Sequence, residues 1–173
     1  MDRVGPDGGL GGRAAGTRAE TAADWPLSER PGFLARRLHQ IHVSLFSERC
    51  AAFGVTPLQY SLLSLLRERG EADQTTLAGA VALDRTTTTG ALKRLAARGL
   101  ISRTTSPADR RAQTCRLTPE GRALHSDMDS AAREAHAATV AVLTESERDT
   151  LVCLMKAVVA AHDDRRGAAD LML

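Results

Sequence analysis

A mainly α-helical chain carrying one small β-hairpin is what this sequence predicts, on three grounds. Its 173 residues lean on Ala, Leu and Arg and are only 3% aromatic, a composition that favours helix. Apolar residues recur at helical spacing along most of the length. One central stretch, LISRTTSPADRRAQTCRLTPEG, instead reads as strand, polar turn and returning strand.

The elements follow in order. The opening MDRVGPDGGLGGRAAGTRAE is Gly-rich and has no signal-peptide core, so residues 1–29 are expected to be a disordered tail. Pro31 suits a first helical turn, and Leu34, Leu38, Ile41, Leu45 and Ala52 share a face of a helix ended by Gly54. Thr56 caps a second helix, with Pro57 at its first position and Gln59 completing a capping box. Leu58, Leu62, Leu65 and Leu66 form its buried side, and Gly70 stops it. A third, short helix follows Asp73, and a fourth, capped by Asp84, stops at Gly99. The strands cover Leu100 to Thr105 and Gln113 to Leu117. Thr118 and Pro119 open a long helix reaching about Leu143. Thr144 and Glu147 open a last one, with Leu151, Leu154, Met155 and Val158 on one face. The ordered part is expected at 30–165, its helix-and-hairpin lobe at about 56–118, with 166–173 a tail.

A helix-turn-helix followed at once by a hairpin is a winged helix, and the charge agrees. The chain is +2 overall, yet residues 74–117 carry Arg85, Lys93, Arg94, Arg98, Arg103, Arg110, Arg111 and Arg116 against Asp84 and Asp109 alone. Helix four begins DRTTTTG, although threonine loses side-chain freedom in a helix and glycine costs more. In a helix-turn-helix the second helix enters the major groove, its N-terminal residues facing base edges and phosphates. Short hydroxyl side chains let the backbone approach and can donate to either. Candidate DNA contacts are therefore Arg85, Thr86, Thr87, Thr88, Thr89, Lys93 and Arg94. The alternative is that the threonines merely cap a surface helix. Arg98 can instead close the helix end. At the hairpin tip, Ser106, Asp109, Arg110 and Arg111 are candidates too, since an arginine there can enter the minor groove with an aspartate holding it.

The run LDRTTTTGALKRLAARGLISRTTSPADRRAQTCRLTPEGRAL resembles the DNA-binding region of the MarR family of bacterial transcriptional regulators. Asp109-x-Arg111, the GLISR strand entry and the LTPEG exit carry the likeness, and TPLQYSLLSLL resembles that family's second helix. The resemblance spans about 31–162 and implies a winged helix-turn-helix plus a helical dimerisation region. It implies a homodimer pairing its first and last helices and a pseudo-palindromic duplex as partner. RPGFLARRLHQIHVSLF is similar to the first helix of family members that control aromatic and N-heteroaromatic acid breakdown, including repressors of nicotinate degradation. That implies repression relieved by a small aromatic acid.

His39 and His42, with Arg36 and Tyr60, can receive a carboxylate; otherwise the histidines are partly buried helix residues with hydrogen-bonded partners. Cys50, Cys115 and Cys153 are widely spaced, which argues against a disulfide framework or zinc site and fits a reducing cytosol. Cys50 is also the one candidate for thiol-based sensing, beside Arg49, whereas Cys115 and Cys153 read as buried small hydrophobes. No HExxH, GxSxG or phosphate-cradling glycine loop is found, so no enzyme activity, metal or cofactor is expected. No apolar run is long enough to span a membrane, and a cytoplasmic location is expected. A winged helix used only to bind proteins is the competing class.

Overall fold

A computed structural model of the chain describes residues 25–105 and 113–170. The chain divides into two compact units, the first ending at Arg37 and the second starting at Leu38. In the first, a 3-10 turn at Leu27–Glu29 precedes the opening turns of α1 (Pro31–Arg49). There Arg30 donates to the carbonyl of Trp25 at 3.2 Å and lies over its ring.

The second unit holds the rest of α1, then α2 (Pro57–Arg69), β1 (Glu71–Asp73), α3 (Gln74–Ala80) and α4 (Arg85–Ala97). It continues with β2 (Ile101–Thr105), β3 (Gln113–Leu117), α5 (Pro119–Thr139) and α6 (Glu145–Asp170). Local chemistry sets most boundaries. The capping box of α2 is complete: Thr56 N–H donates to Gln59 Oε1 at 3.0 Å, and Gln59 N–H to Thr56 Oγ1 at 3.3 Å. Asp73 and Asp84 cap α3 and α4 alike, accepting from the N–H of Thr76 at 2.9 Å and of Thr87 at 2.8 Å. Arg98, though exposed, is tied to the 3-10 turn at Ala51–Phe53 that follows α1. Its guanidinium donates to the carbonyls of Gly54 at 2.6 Å and Phe53 at 3.0 Å, where Gly54 turns the chain at φ +59°.

The core joins Leu62, Leu63 and Leu66 of α2 to Leu77 of α3 and to Ala91, Leu92 and Leu95 of α4. Ile101, Cys115 and Leu117 of the sheet close one side, and Met128, Ala132 and Ala135 of α5 the other. Leu63 belongs to this core while Leu58 and Leu65 only pack against it, so the buried side of α2 is rotated from the predicted one. The core takes Phe46 of α1 and Cys50 just after it, whereas Leu34 and Ile41 of the predicted stripe remain exposed. That helix has apolar residues on two sides, and helical spacing alone does not say which one docks.

Three further differences have physical causes. The sheet has three strands in the order β1-β3-β2, not two: Ala72 lies opposite Cys115, and Ile101 opposite Leu117. β1 is too short for alternation to show, and exists because the other edge of β3 offers unpaired backbone groups. α5 ends at Thr139, before the predicted Leu143, where Arg148 donates to the carbonyls of Val140 at 3.2 Å and Leu143 at 3.0 Å. α6 runs to Asp170, past the predicted limit of 165, and its residues 152–162 are all exposed. Cys153 is among them, so it is not the buried hydrophobe expected; Cys115 is.

Candidate functional site

Two surfaces of the second unit gather the predicted site residues. The first is α4. Successive residues of a helix turn by about 100°, so four adjacent threonines cannot share one face. Thr88 lies with Ala91, Leu92 and Leu95 on the buried side, 1% exposed, its Oγ1 without a partner among the described residues. It is removed from the candidate DNA contacts for that reason. Thr86, Thr87, Lys93 and Arg94 are exposed, and Thr89 is half-buried, its hydroxyl 3.4 Å from Gln74 Oε1. The exposed hydroxyls differ in what they offer. Thr87 Oγ1 donates to Asp84 Oδ2 at 2.6 Å, so it turns outward only lone pairs and a methyl group. No such tie is made by Thr86 among the described residues.

The amino end of α4 is not an open anion site. The Asp84 carboxylate occupies it, and its hydrogen bonds to Thr87 hold its pKa below the usual carboxylate range. Phosphate contacts here must come from side chains. Of the basic residues in 74–117, Arg98 is spent on backbone carbonyls, Arg103 donates to Gln113, and Arg116 pairs with Glu71. Lys93 and Arg94 stay exposed on α4, and Arg85, at its first position, donates to Thr75 at 3.0 Å. Ser106, Asp109, Arg110 and Arg111 lie outside the described residues.

The second surface is a cleft of about 730 Å³ between α1, α2, α5 and the α3–α4 turn. His39, His42 and Tyr60 line it together, as do His136, Ser64 and Glu68. Arg36 is exposed on the opening turns of α1, in the first unit. His42 stacks on His136 with ring centroids 4.6 Å apart, and its Nδ1 lies 3.1 Å from Thr139 Oγ1. Burial, then the charges of His136 and His39, lower the pKa of His42. Behind Tyr60 lies buried His125, ring on ring at 5.0 Å. Ser64 Oγ stands 2.9 Å from its Nε2, and Arg67 Nη1 stands 2.9 Å from its Nδ1. Burial, then Arg67, lowers the pKa of His125, and burial first of all raises that of Tyr60.

His125, His136 and Thr139 are absent from the predicted site. The signal for them is faint: His125 and Thr139 fall at helical spacing with Met128, Ala132 and Ala135 on the inward face of α5, while His136 is exposed beside Ala135. Cys50 is 1% exposed, and burial pushes its thiol pKa up, which opposes the formation of a reactive thiolate. Among the described residues there is no cluster of His, Cys, Asp or Glu able to hold a metal. No helix among them is long and apolar enough to cross a membrane.

A helix-turn-helix backed by an antiparallel wing, with a hydroxyl- and cation-bearing helix outward, defines a winged-helix DNA-binding protein. The MarR family model matches residues 55–112. The repressor NicR of Pseudomonas putida is 29% identical over 140 residues, covering 81% of this chain and 89% of its own. BpsR of Bordetella bronchiseptica, whose DNA binding is regulated by 6-hydroxynicotinic acid, is 34% identical with a TM-score of 0.72, over 78% of this chain and 96% of its own. The transcriptional repressor CouR, solved on a 23-mer DNA duplex, is 30% identical with a TM-score of 0.70, over 77% and 94%. The chain belongs to the MarR family and is a DNA-binding transcriptional regulator.

Proposed function

We propose that the protein is a cytoplasmic homodimeric repressor that holds a pseudo-palindromic operator and releases it when a small aromatic or N-heteroaromatic acid enters the cleft. The observation that carries the reading is the two-sidedness of α4. Its inner side is core, and its outer side presents Thr86, Thr87, Lys93 and Arg94 with nothing folded over them among the described residues. Thr86 and Thr87 suit base edges, the second through its methyl group against thymine. Lys93, Arg94 and Arg85 suit phosphates, and Ser106, Asp109, Arg110 and Arg111 remain candidates from the sequence. CouR supports the DNA half of the reading as a relative held on a duplex, and BpsR the effector half. The cleft touches both α1 and the α3–α4 turn, so an occupant that fits only one arrangement of those elements shifts the half-site spacing. A few kcal/mol of preference suffices for such a shift.

The test is binding to duplex from the gene's own upstream region as salt varies. A protein neutralising several phosphates loses about a thousandfold or more in affinity between ~50 and ~200 mM salt. Lys93→Ala should weaken binding evenly across sequences and lower the salt slope by about one. A flat salt response favours the protein-interaction class and overturns the reading. For the effector, hydroxybenzoates and hydroxynicotinates are tested for release of the duplex; failure of all of them removes the aromatic-acid half.

A further inference from the structure

His42 on the cleft wall and His125 buried behind it have proton positions fixed by their neighbours. Thr139 has one hydroxyl hydrogen. Its Oγ1 lies 2.8 Å from the carbonyl of Ala135 and 3.1 Å from His42 Nδ1. Two oxygens at 2.8 Å with no hydrogen between them repel, so the hydroxyl donates to Ala135, the usual helical back-bond. Thr139 can then only accept from His42, and Nδ1 must carry the hydrogen. In neutral His42 the bare nitrogen is therefore Nε2, which has no protein partner among the described residues. His125 is held the opposite way. Arg67 always donates, so Nδ1 of His125 accepts, and Nε2–H donates to Ser64 Oγ. Ser64 lines the cleft, where its own hydrogen is turned toward the Tyr60 hydroxyl.

The cleft thus shows an incoming molecule a basic imidazole nitrogen on α1 and the hydroxyls of Tyr60 and Ser64 on α2. The titratable groups lining it are His39 and His42 on α1, Tyr60 and Glu68 on α2, and His136 on α5; the α3–α4 segment contributes only Ala80, Val81 and Leu83. No lysine or arginine is among those lining residues, and Glu68 opposes an anion. A carboxylate entering here finds its counter-charge in a histidine that acquires a proton. His42 is the one built for it. As an imidazolium it would have both N–H groups satisfied, Nδ1 on Thr139 and Nε2 on the carboxylate. The His136 ring stacks on that of His42 at 4.6 Å.

We infer that His42 takes up one proton from solvent as an aromatic carboxylate enters the cleft, and that the effector is held as a carboxylate–imidazolium pair. This rests on the effector reading above. One N–H bond forms at Nε2 and one bond to hydrogen breaks in the buffer acid that supplies the proton; nothing is oxidised or reduced. The direction follows from the free state, where burial and the neighbouring histidines already disfavour the charged ring. Affinity for the anion therefore rises as pH falls towards the free-state pKa of His42, which lies below the ordinary histidine value, and levels off beneath it.

Three measurements on the full chain test this. Without ligand, nitrogen-15 shifts of the imidazoles should show His42 as the Nδ1–H tautomer and His125 as Nε2–H; the reverse at His42 overturns the inference. Titration calorimetry with 6-hydroxynicotinate, in buffers of different ionisation enthalpy, should show an uptake approaching one proton. The logarithm of affinity should fall by up to about one per pH unit in the same window. His42→Gln should abolish the uptake, while Glu68→Gln should keep it. Binding without uptake, or uptake that survives His42→Gln, overturns the inference and leaves the effector reading standing. No binding by 6-hydroxynicotinate or any other acid of the panel removes the effector reading itself.

Discussion

Thr88 shows how one residue inside a polar run can belong to the core. Its neighbours Thr86 and Thr87 are exposed, but its own Oγ1 is sealed with no partner among the described residues. A buried hydroxyl left unpaired costs about 1–3 kcal/mol, whereas an apolar group of the same shape can be neutral or stabilising. Valine has that shape and the same β-branching. Thr88→Val should therefore raise stability by about 1 kcal/mol, read as a higher urea midpoint at unchanged slope. Because the side chain faces inward, affinity for operator DNA should stay within about twofold, while Thr86→Val, which removes an outward hydroxyl, should lose several-fold. An intact fold with tenfold weaker DNA binding in Thr88→Val would return that residue to the interface.

At the scale of elements, the base of the wing is locked to the start of α5. Thr118 Oγ1 donates to the carbonyl of Gly99 at 2.7 Å, and the N–H of Thr118 donates to Leu100 at 3.2 Å. This closeness leaves no room at Gly121, where a Cβ would stand 1.9 Å from the Leu100 carbonyl oxygen. That neighbour is backbone and cannot swing aside. Gly121→Ala should destabilise by about 1–3 kcal/mol or more, measured by urea unfolding. Gly79→Ala serves as the control. It lies exposed on α3 with nothing within 4 Å of the added carbon, and should gain up to about 1 kcal/mol from helix propensity. Equal losses in the two variants would mean that the contact with Leu100 is not what Gly121 protects. The same contrast explains what is legible from sequence. Caps are local, so Thr56 with Gln59, Asp73, Asp84, and Thr144 with Glu147 announce helix starts that the structure repeats. β1 depends on pairing with β3, and the role of Gly121 depends on Leu100; neither partner is visible locally. In the cleft, His39, His42 and Tyr60 stand out by spacing near one chain end, while His125, His136 and Thr139 join them only through the packing of α5.

For the whole molecule the unexplained feature is α6. Val152, Leu154, Met155, Val158 and Val159 are all exposed large hydrophobics on one long helix, Leu154 at 61% and Val158 at 62%. Soluble monomers rarely present so continuous an apolar patch. A two-fold partner offering the same helix would cover it, since an isologous contact needs only one self-complementary surface. The proposed dimer also fits the DNA reading, because two recognition helices reach half-sites about one duplex turn, ~34 Å, apart. Leu154 and Val158 are one helical turn apart, so Leu154→Glu with Val158→Glu puts two like charges into one stripe of that patch. The double variant should sediment at the mass of one chain, about 18.5 kDa, where the parent sediments at twice that mass. Both exchanges are on solvent-exposed positions, so far-ultraviolet circular dichroism should show the helices of the second unit intact. Linking two half-site contacts is worth roughly 10²–10⁴ in avidity, and operator affinity should fall within that range. Binding to a single half-site should change little, because α4 is untouched. A variant that stays dimeric would place the subunit contact elsewhere. One that becomes monomeric yet binds the full operator as tightly as before would show that reading two half-sites does not require this face.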